Sequence, residues 1–142
     1  MTRALGRTIC ATLVLVAAAA CQMDSRDQLL ASSHSQVALR SIQTRVFDTT
    51  DRETTLRTAI GTLQDLGFVI DEADAVLGAV SATKLDRYMM RMTVTVRPRG
   101  QTQTLVRANA QYQDREVTDP EPYQHFFVAL SKAMFLTAHQ VD

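Results

Sequence analysis

Cysteine, proline, glycine and aromatic residues are all scarce in this 142-residue chain, which has 2 Cys, 3 Pro, 5 Gly and 6% aromatic side chains. So little cysteine excludes a disulfide scaffold, and so little glycine and proline excludes a collagen-like or low-complexity polymer. Neither sign of charge is in excess, because 15 Lys and Arg balance 15 Asp and Glu. Overall charge thus gives no general attraction to polyanions, and nucleic-acid binding would need a local basic patch. Apolar side chains are plentiful, at 46% of the chain, which suits one small globular domain and not a disordered tail.

Long apolar runs are missing as well. The run from Thr8 to Ala20 has 13 residues, against about 20 for a helix that spans a bilayer. Arg3 and Arg7 precede it, and four alanines and Cys21 close it, which is the anatomy of a secretory signal peptide. Ala18, Ala19, Ala20 and Cys21 resemble the lipobox of bacterial lipoproteins, with Ala18 where that family usually has leucine. The resemblance implies removal of residues 1–20, a thioether-linked diacylglycerol on Cys21, and acylation of the new amino terminus. Several acyl chains, at about 0.8 kcal/mol per buried methylene, hold a protein on a membrane where one chain holds it only marginally. Gln22 stands where an aspartate would retain such a lipoprotein at the inner membrane, so the resemblance implies the outer membrane. Cys10 leaves with the leader and Cys21 is consumed, which removes any intrachain disulfide, thiol nucleophile or cysteine metal site. The mature chain keeps 13 basic and 15 acidic side chains.

Residues 21–36 carry the lipidated cysteine and a serine-containing stretch with no sustained apolar period, and read as a flexible tether to a single domain at 37–142. In that domain Gln43 to Phe47 is strand-like. Thr50 and Glu53 form a capping box for a helix over about 51–66, with Leu56, Ala59, Ile60 and Leu63 on one face and Gly67 as its stop. Short strands are expected at 68–71 and 79–84, separated by a polar turn ending at Gly78. From Arg87 to Arg97 the chain alternates, with Met90, Met92, Val94 and Val96 on one face. Pro98, Arg99 and Gly100 make a turn, and a returning strand, Gln103 to Tyr112, turns Val106, Ala108, Ala110 and Tyr112 to the same side. Asp119 and Pro120 open a second helix as N-cap and first turn, with Tyr123, Phe127, Leu130, Met134 and Val141 in one arc flanked by Phe126 and Ala138.

The order β-α-β-β-β-β-α predicts an α+β fold: a twisted antiparallel sheet of about five strands with two helices on one face. With the lipidated cysteine and tether, this order resembles the helix-grip domains of BamC-like envelope lipoproteins. Two stretches, LQDLGFVIDEADAVLGAVSATK and YQHFFVALSKAMFL, resemble small proteobacterial lipoproteins. The resemblance implies a fold and a compartment, and no activity.

No constellation for chemistry emerges. His34 falls in the tether, His125 on the polar back of the last helix and His139 near the chain end, and none has a positioned partner. Asp65, Asp71, Glu72 and Asp74 lack the glycine and terminal glutamate of a calcium loop and read as a solvated turn. Met89, Met90 and Met92 could invite a soft metal, yet the pleat sends Met89 outward, so Met90, Met92 and Met134 read as core filling. There is no nucleophile elbow, S-x-x-K motif or phosphate-binding glycine loop. The chain reads as non-enzymatic, with no cofactor and no nucleic-acid partner.

Two surfaces are left. Arg91, Arg97 and Arg107 on the outward face of the long hairpin, with Arg99 in its turn, offer a partner surface for acidic groups. Val128, Phe135 and Leu136 lie outside the main arc of the last helix. Either they widen its buried face against both the sheet and the first helix, or they line a groove. The leading expectation is an accessory or scaffolding module of an outer-membrane protein complex, its domain in the periplasm. The alternative is a carrier or sensor for a lipid or small apolar ligand held between the last helix and the sheet.

Overall fold

Alternation with a period of two along 89–112 and helical spacing along 52–65 and 120–135 translate directly into layers. The computed structural model describes residues 35–85 and 88–139, with side chains as far as Phe135. Cys21, His34, Val141, nearly all of the tether, and the side chains of Leu136, Ala138 and His139 lie outside the described residues. The elements are α1 (helical over residues 35–43), β1 (Thr44–Phe47), α2 (Arg52–Asp65), β2 (Val69–Asp74), β3 (Ala79–Leu85), β4 (Met89–Arg99), β5 (Gln103–Tyr112), β6 (Arg115–Glu116) and α3 (Pro120–His139). From Leu39 onward they belong to one compact unit.

The sheet is antiparallel in the order β1-β5-β4-β3-β2, and β6 pairs with β5 beyond the point where β1 stops. The fold is therefore α+β with both long helices on one face, as the alternation implies. Met92, Val94 and Val96 of β4 and Val106, Ala108 and Ala110 of β5 are buried under Leu56, Ala59 and Leu63 of α2 and Tyr123, Phe126 and Leu130 of α3. Thr55 and Thr62 are buried too, because each hydroxyl donates to the carbonyl four residues back, Asp51 O at 2.7 Å and Thr58 O at 2.8 Å. Such back-bonding satisfies the hydroxyl within its own helix, so threonine packs here as an apolar residue would.

Several boundaries differ from the sequence reading. Gln43 ends α1 instead of opening β1, and Ser35 and Gln36, assigned to the tether, are helical. The cap of α2 is Asp51, not Thr50: its carboxylate accepts from Thr54 N at 2.9 Å and Thr54 Oγ1 at 2.7 Å. β4 runs on through Pro98 and Arg99, and the turn starts at Gly100. Pro98 fits because β3 pairs with β4 only as far as Thr95. Val96 N donates outward to Gly78 O, so two residues on, the missing proline N–H faces an edge with no strand to receive it. β2 extends to Asp74 through a register shift between Ile70 and Glu72.

The end of α2 follows the expected glycine stop. Gly67 adopts φ +84°, its N–H donates to Gln64 O, and Phe68 N donates to Leu63 O. This is the paired closure of a Schellman motif, with the buried side chains of Leu63 and Phe68 as its apolar contact.

Candidate functional site

Pairing places Arg91, Thr93, Thr95, Arg97 and Arg99 on the outer face of β4, with Leu105, Arg107 and Asn109 beside them on β5. All four arginines of the expected partner surface are exposed. They do not form one patch. Arg107 pairs opposite Thr95, diagonal to Arg97, and Arg99 follows two residues on, so these three gather at one end of the hairpin. Arg91 is six residues from Arg97, about 20 Å along the strand, opposite Gln111. Arg99 belongs to the strand and not to the turn. Among the described residues the two ion pairs are Arg57–Glu53 and His125–Glu121, so none of these arginines has an acidic partner. Arg107 alone has a neighbour within reach, Gln43 Oε1 at 3.5 Å.

Acids occupy the other margin of the same face. Asp71, Glu72 and Asp74 lie along β2, where Asp71 Oδ2 accepts from Thr83 Oγ1 and Asp74 Oδ1 from Leu77 N. Both bonds belong to turn and edge structure, consistent with a solvated edge.

Beside the arginines, a polar cluster closes the β5 edge between β1 and β6. Tyr123 Oη donates to Val117 O at 2.7 Å and accepts from Ala110 N at 3.2 Å and Gln43 Nε2 at 3.3 Å. Glu116 Oε1 accepts from Gln43 Nε2 and Asn109 Nδ2, each at 3.1 Å. A sheet edge buried under a helix must find partners for its backbone, and here a tyrosine hydroxyl supplies one.

The expected groove on α3 is not where the concavity lies. Val128 and Phe135 are 71% and 61% exposed and line neither of the two best-formed pockets among the described residues, so at these two positions the buried arc of α3 is narrower than expected. The α3 side chains buried against the sheet and α2 are Tyr123, Phe126, Phe127 and Leu130. The Leu136 side chain lies outside the described residues.

A pocket of about 400 Å³ sits instead at the end of the sandwich, between the end of α2, the start of α3 and the inward face of the β3–β5 ends. Leu66, Phe68, Met90 and Met92 form its apolar wall, and Tyr88 and Tyr112 its aromatic rim. Lys84, Asp119, Glu121 and His125 add polar groups. Met92 is core and half-buried Met90 and Met134 pack against it, as expected, while Met90 and Met92 also line this space. His125, placed on the idle back of the helix by sequence, is exposed yet lines the pocket, its Nε2 3.9 Å from Glu121 Oε1. Among the described residues no group of three or more His, Cys, Asp or Glu side chains is arranged to hold a metal ion. No helix among them is long and apolar enough to cross a membrane. No family model matches the chain, and no curated protein matches it either.

Proposed function

We propose that this chain is a non-enzymatic envelope lipoprotein, held to the outer membrane through acylated Cys21, whose periplasmic domain is an accessory module of a protein complex. The lipobox and the resemblance to BamC-like helix-grip domains support the compartment. The observation that carries the interaction is the cluster of exposed Arg97, Arg99 and Arg107 on the outer sheet face, none of them with an acidic partner among the described residues. Guanidinium forks match carboxylates in bidentate geometry, so the complementary occupant is an acidic protein surface. Crosslinking in intact cells followed by mass spectrometry tests this. An acidic envelope partner should be recovered, and the R97S/R99S/R107S variant should lose it while R91S, outside the cluster, retains most of it. Unchanged capture by the triple variant, or no partner at all, discards the proposal. Mass spectrometry of the amino-terminal peptide tests the anchor separately, since an unmodified Cys21 removes it.

A second reading, a carrier of a small apolar ligand, is favoured by the end pocket, which lies between α3 and the sheet as that reading requires. Its volume falls within the range of about 300–1,000 Å³ common to small-ligand sites.

A further inference from the structure

We infer that the end pocket takes a small amphiphilic cation, an organic ammonium on a short apolar body. The inference rests on the carrier reading and names its ligand class. The apolar wall of Leu66, Phe68, Met90 and Met92 gives a body of matching character somewhere to lose its contact with water. The two methionines lend this wall the adaptability of flexible thioether side chains.

Charge at the rim selects the head. Asp119 and Glu121 line the pocket from the start of α3, and the one lysine, from the end of β3, is already engaged: Lys84 Nζ donates to Leu66 O at 2.9 Å and lies 5.9 Å from the Phe68 ring centroid. That places the ammonium at the carbonyl end of α2, where the last turn favours a cation. His125 lines the same pocket with Nε2 3.9 Å from Glu121 Oε1 and adds a charge only when protonated, so the two carboxylates outnumber the one permanent cation among the described lining residues.

A helix N-terminus would ordinarily favour an anion through its free amides. In α3 that option is closed. Pro120 and Pro122 have no N–H, and Glu121 N donates to Asp119 Oδ1 at 3.0 Å. The first turn presents carboxylates without the amides that would draw an anion. Tyr88 and Tyr112, 69% and 41% exposed, also line the pocket, and an aromatic ring attracts an ammonium placed over its face.

The test uses octyltrimethylammonium, octanoate and 1-octanol as probes of equal chain length, titrated into the mature protein by calorimetry. Tyrosine fluorescence is a second readout, because the chain has no Trp and 3 Tyr, two of them at the pocket. Octyltrimethylammonium should saturate one site and octanoate should bind at least about tenfold more weakly, the scale of one charge-assisted contact. The D119N/E121Q variant should weaken the cation by about tenfold, with an unchanged circular dichroism spectrum because asparagine caps a helix as aspartate does. Y88A, at an exposed position, should weaken it too. Equal binding of all three probes, untouched by D119N/E121Q, would overturn the cation inference and leave the carrier reading standing. Tighter binding of octanoate would overturn it in the same way, and no saturable binding of any probe would remove both.

Discussion

Replacing Tyr123 by phenylalanine deletes one oxygen and leaves the ring in place, so its effect isolates the hydroxyl that closes the β5 edge. The side chain is fully buried, and its oxygen makes one donated and two accepted hydrogen bonds. In Y123F the Val117 carbonyl and the Ala110 amide both face a phenyl edge, whereas Gln43 Nε2 keeps Glu116. A buried backbone group stripped of its partner costs about 1–3 kcal/mol, and two such groups with some relaxation amount to about 3 kcal/mol. In a unit of about 100 residues each kcal/mol moves the midpoint by about 4–8 °C, which places the loss at about 12–24 °C. Thermal unfolding of the mature chain followed by circular dichroism measures it. Coupling gives a second reading: Q43M should cost less in the Y123F background than alone, because the two side chains share a bond. A midpoint lowered by less than about 3 °C, or strictly additive losses, would show that water or rearranged backbone satisfies the edge and refute the argument.

Two further perturbations follow from local geometry. Asp51 accepts from the Thr54 amide and hydroxyl, which hold its carboxyl below the ordinary value of 3.8. A depressed folded-state pKa lends stability that is present above the unfolded value and lost as pH falls through the folded one. D51N should therefore leave the melting temperature near neutral pH almost unchanged, since asparagine caps equally well, and flatten its decline below about pH 4; an unaltered acid slope would contradict this. Gly78 and Gly100 both have positive φ, +66° and +61°, but a Cβ at Gly78 would lie 2.6 Å from Val96 O while at Gly100 it meets nothing within 4 Å. Chemical denaturation should find G100A less stable by about 1 kcal/mol, the left-handed penalty alone, and G78A by about twice that or more. Equal losses would remove the steric account.

Periodicity made the layers legible because it records which side of an element faces the core. Met92 and Val94 alternate with Thr93 and Thr95, and Gly67 marks the helix end that the Schellman bonds then form. Short or locally ambiguous features were not legible. β6 has two residues and exists because the turn at Gln113, φ 54°, folds Arg115 and Glu116 back onto β5. Thr50 and Asp51 are both capable caps, and only the backbone decides which one reaches Thr54 N. Val128 and Phe135 look like core residues to any hydrophobicity count, yet both are largely exposed. The pocket escaped for a different reason, since Leu66, Lys84, Tyr112 and Asp119 come from distant parts of the chain. One signal was available. At 11 residues β4 spans about 37 Å, whereas the 14 residues of α2 span about 21 Å, so inward-facing Met90 and Tyr112 run past the end of the helix that should cover them.

The same mismatch of lengths explains why the two surfaces stay separate. A two-layer sandwich has one free sheet face, and the pleat alone directs Arg97, Arg99 and Arg107 to it. The carboxylates arrive at the pocket with the first turn of α3: Asp119 is there because the helix needs an acceptor for Glu121 N, and Glu121 follows two residues on. The arginine cluster therefore follows from strand parity and the acidic rim from a helix terminus, with no ion pair joining them among the described residues. Charges placed by independent rules can be nearly balanced in total and still be segregated. Near-neutrality of the whole chain is thus compatible with one surface suited to anions and another suited to cations, and each can be altered without disturbing what holds the other.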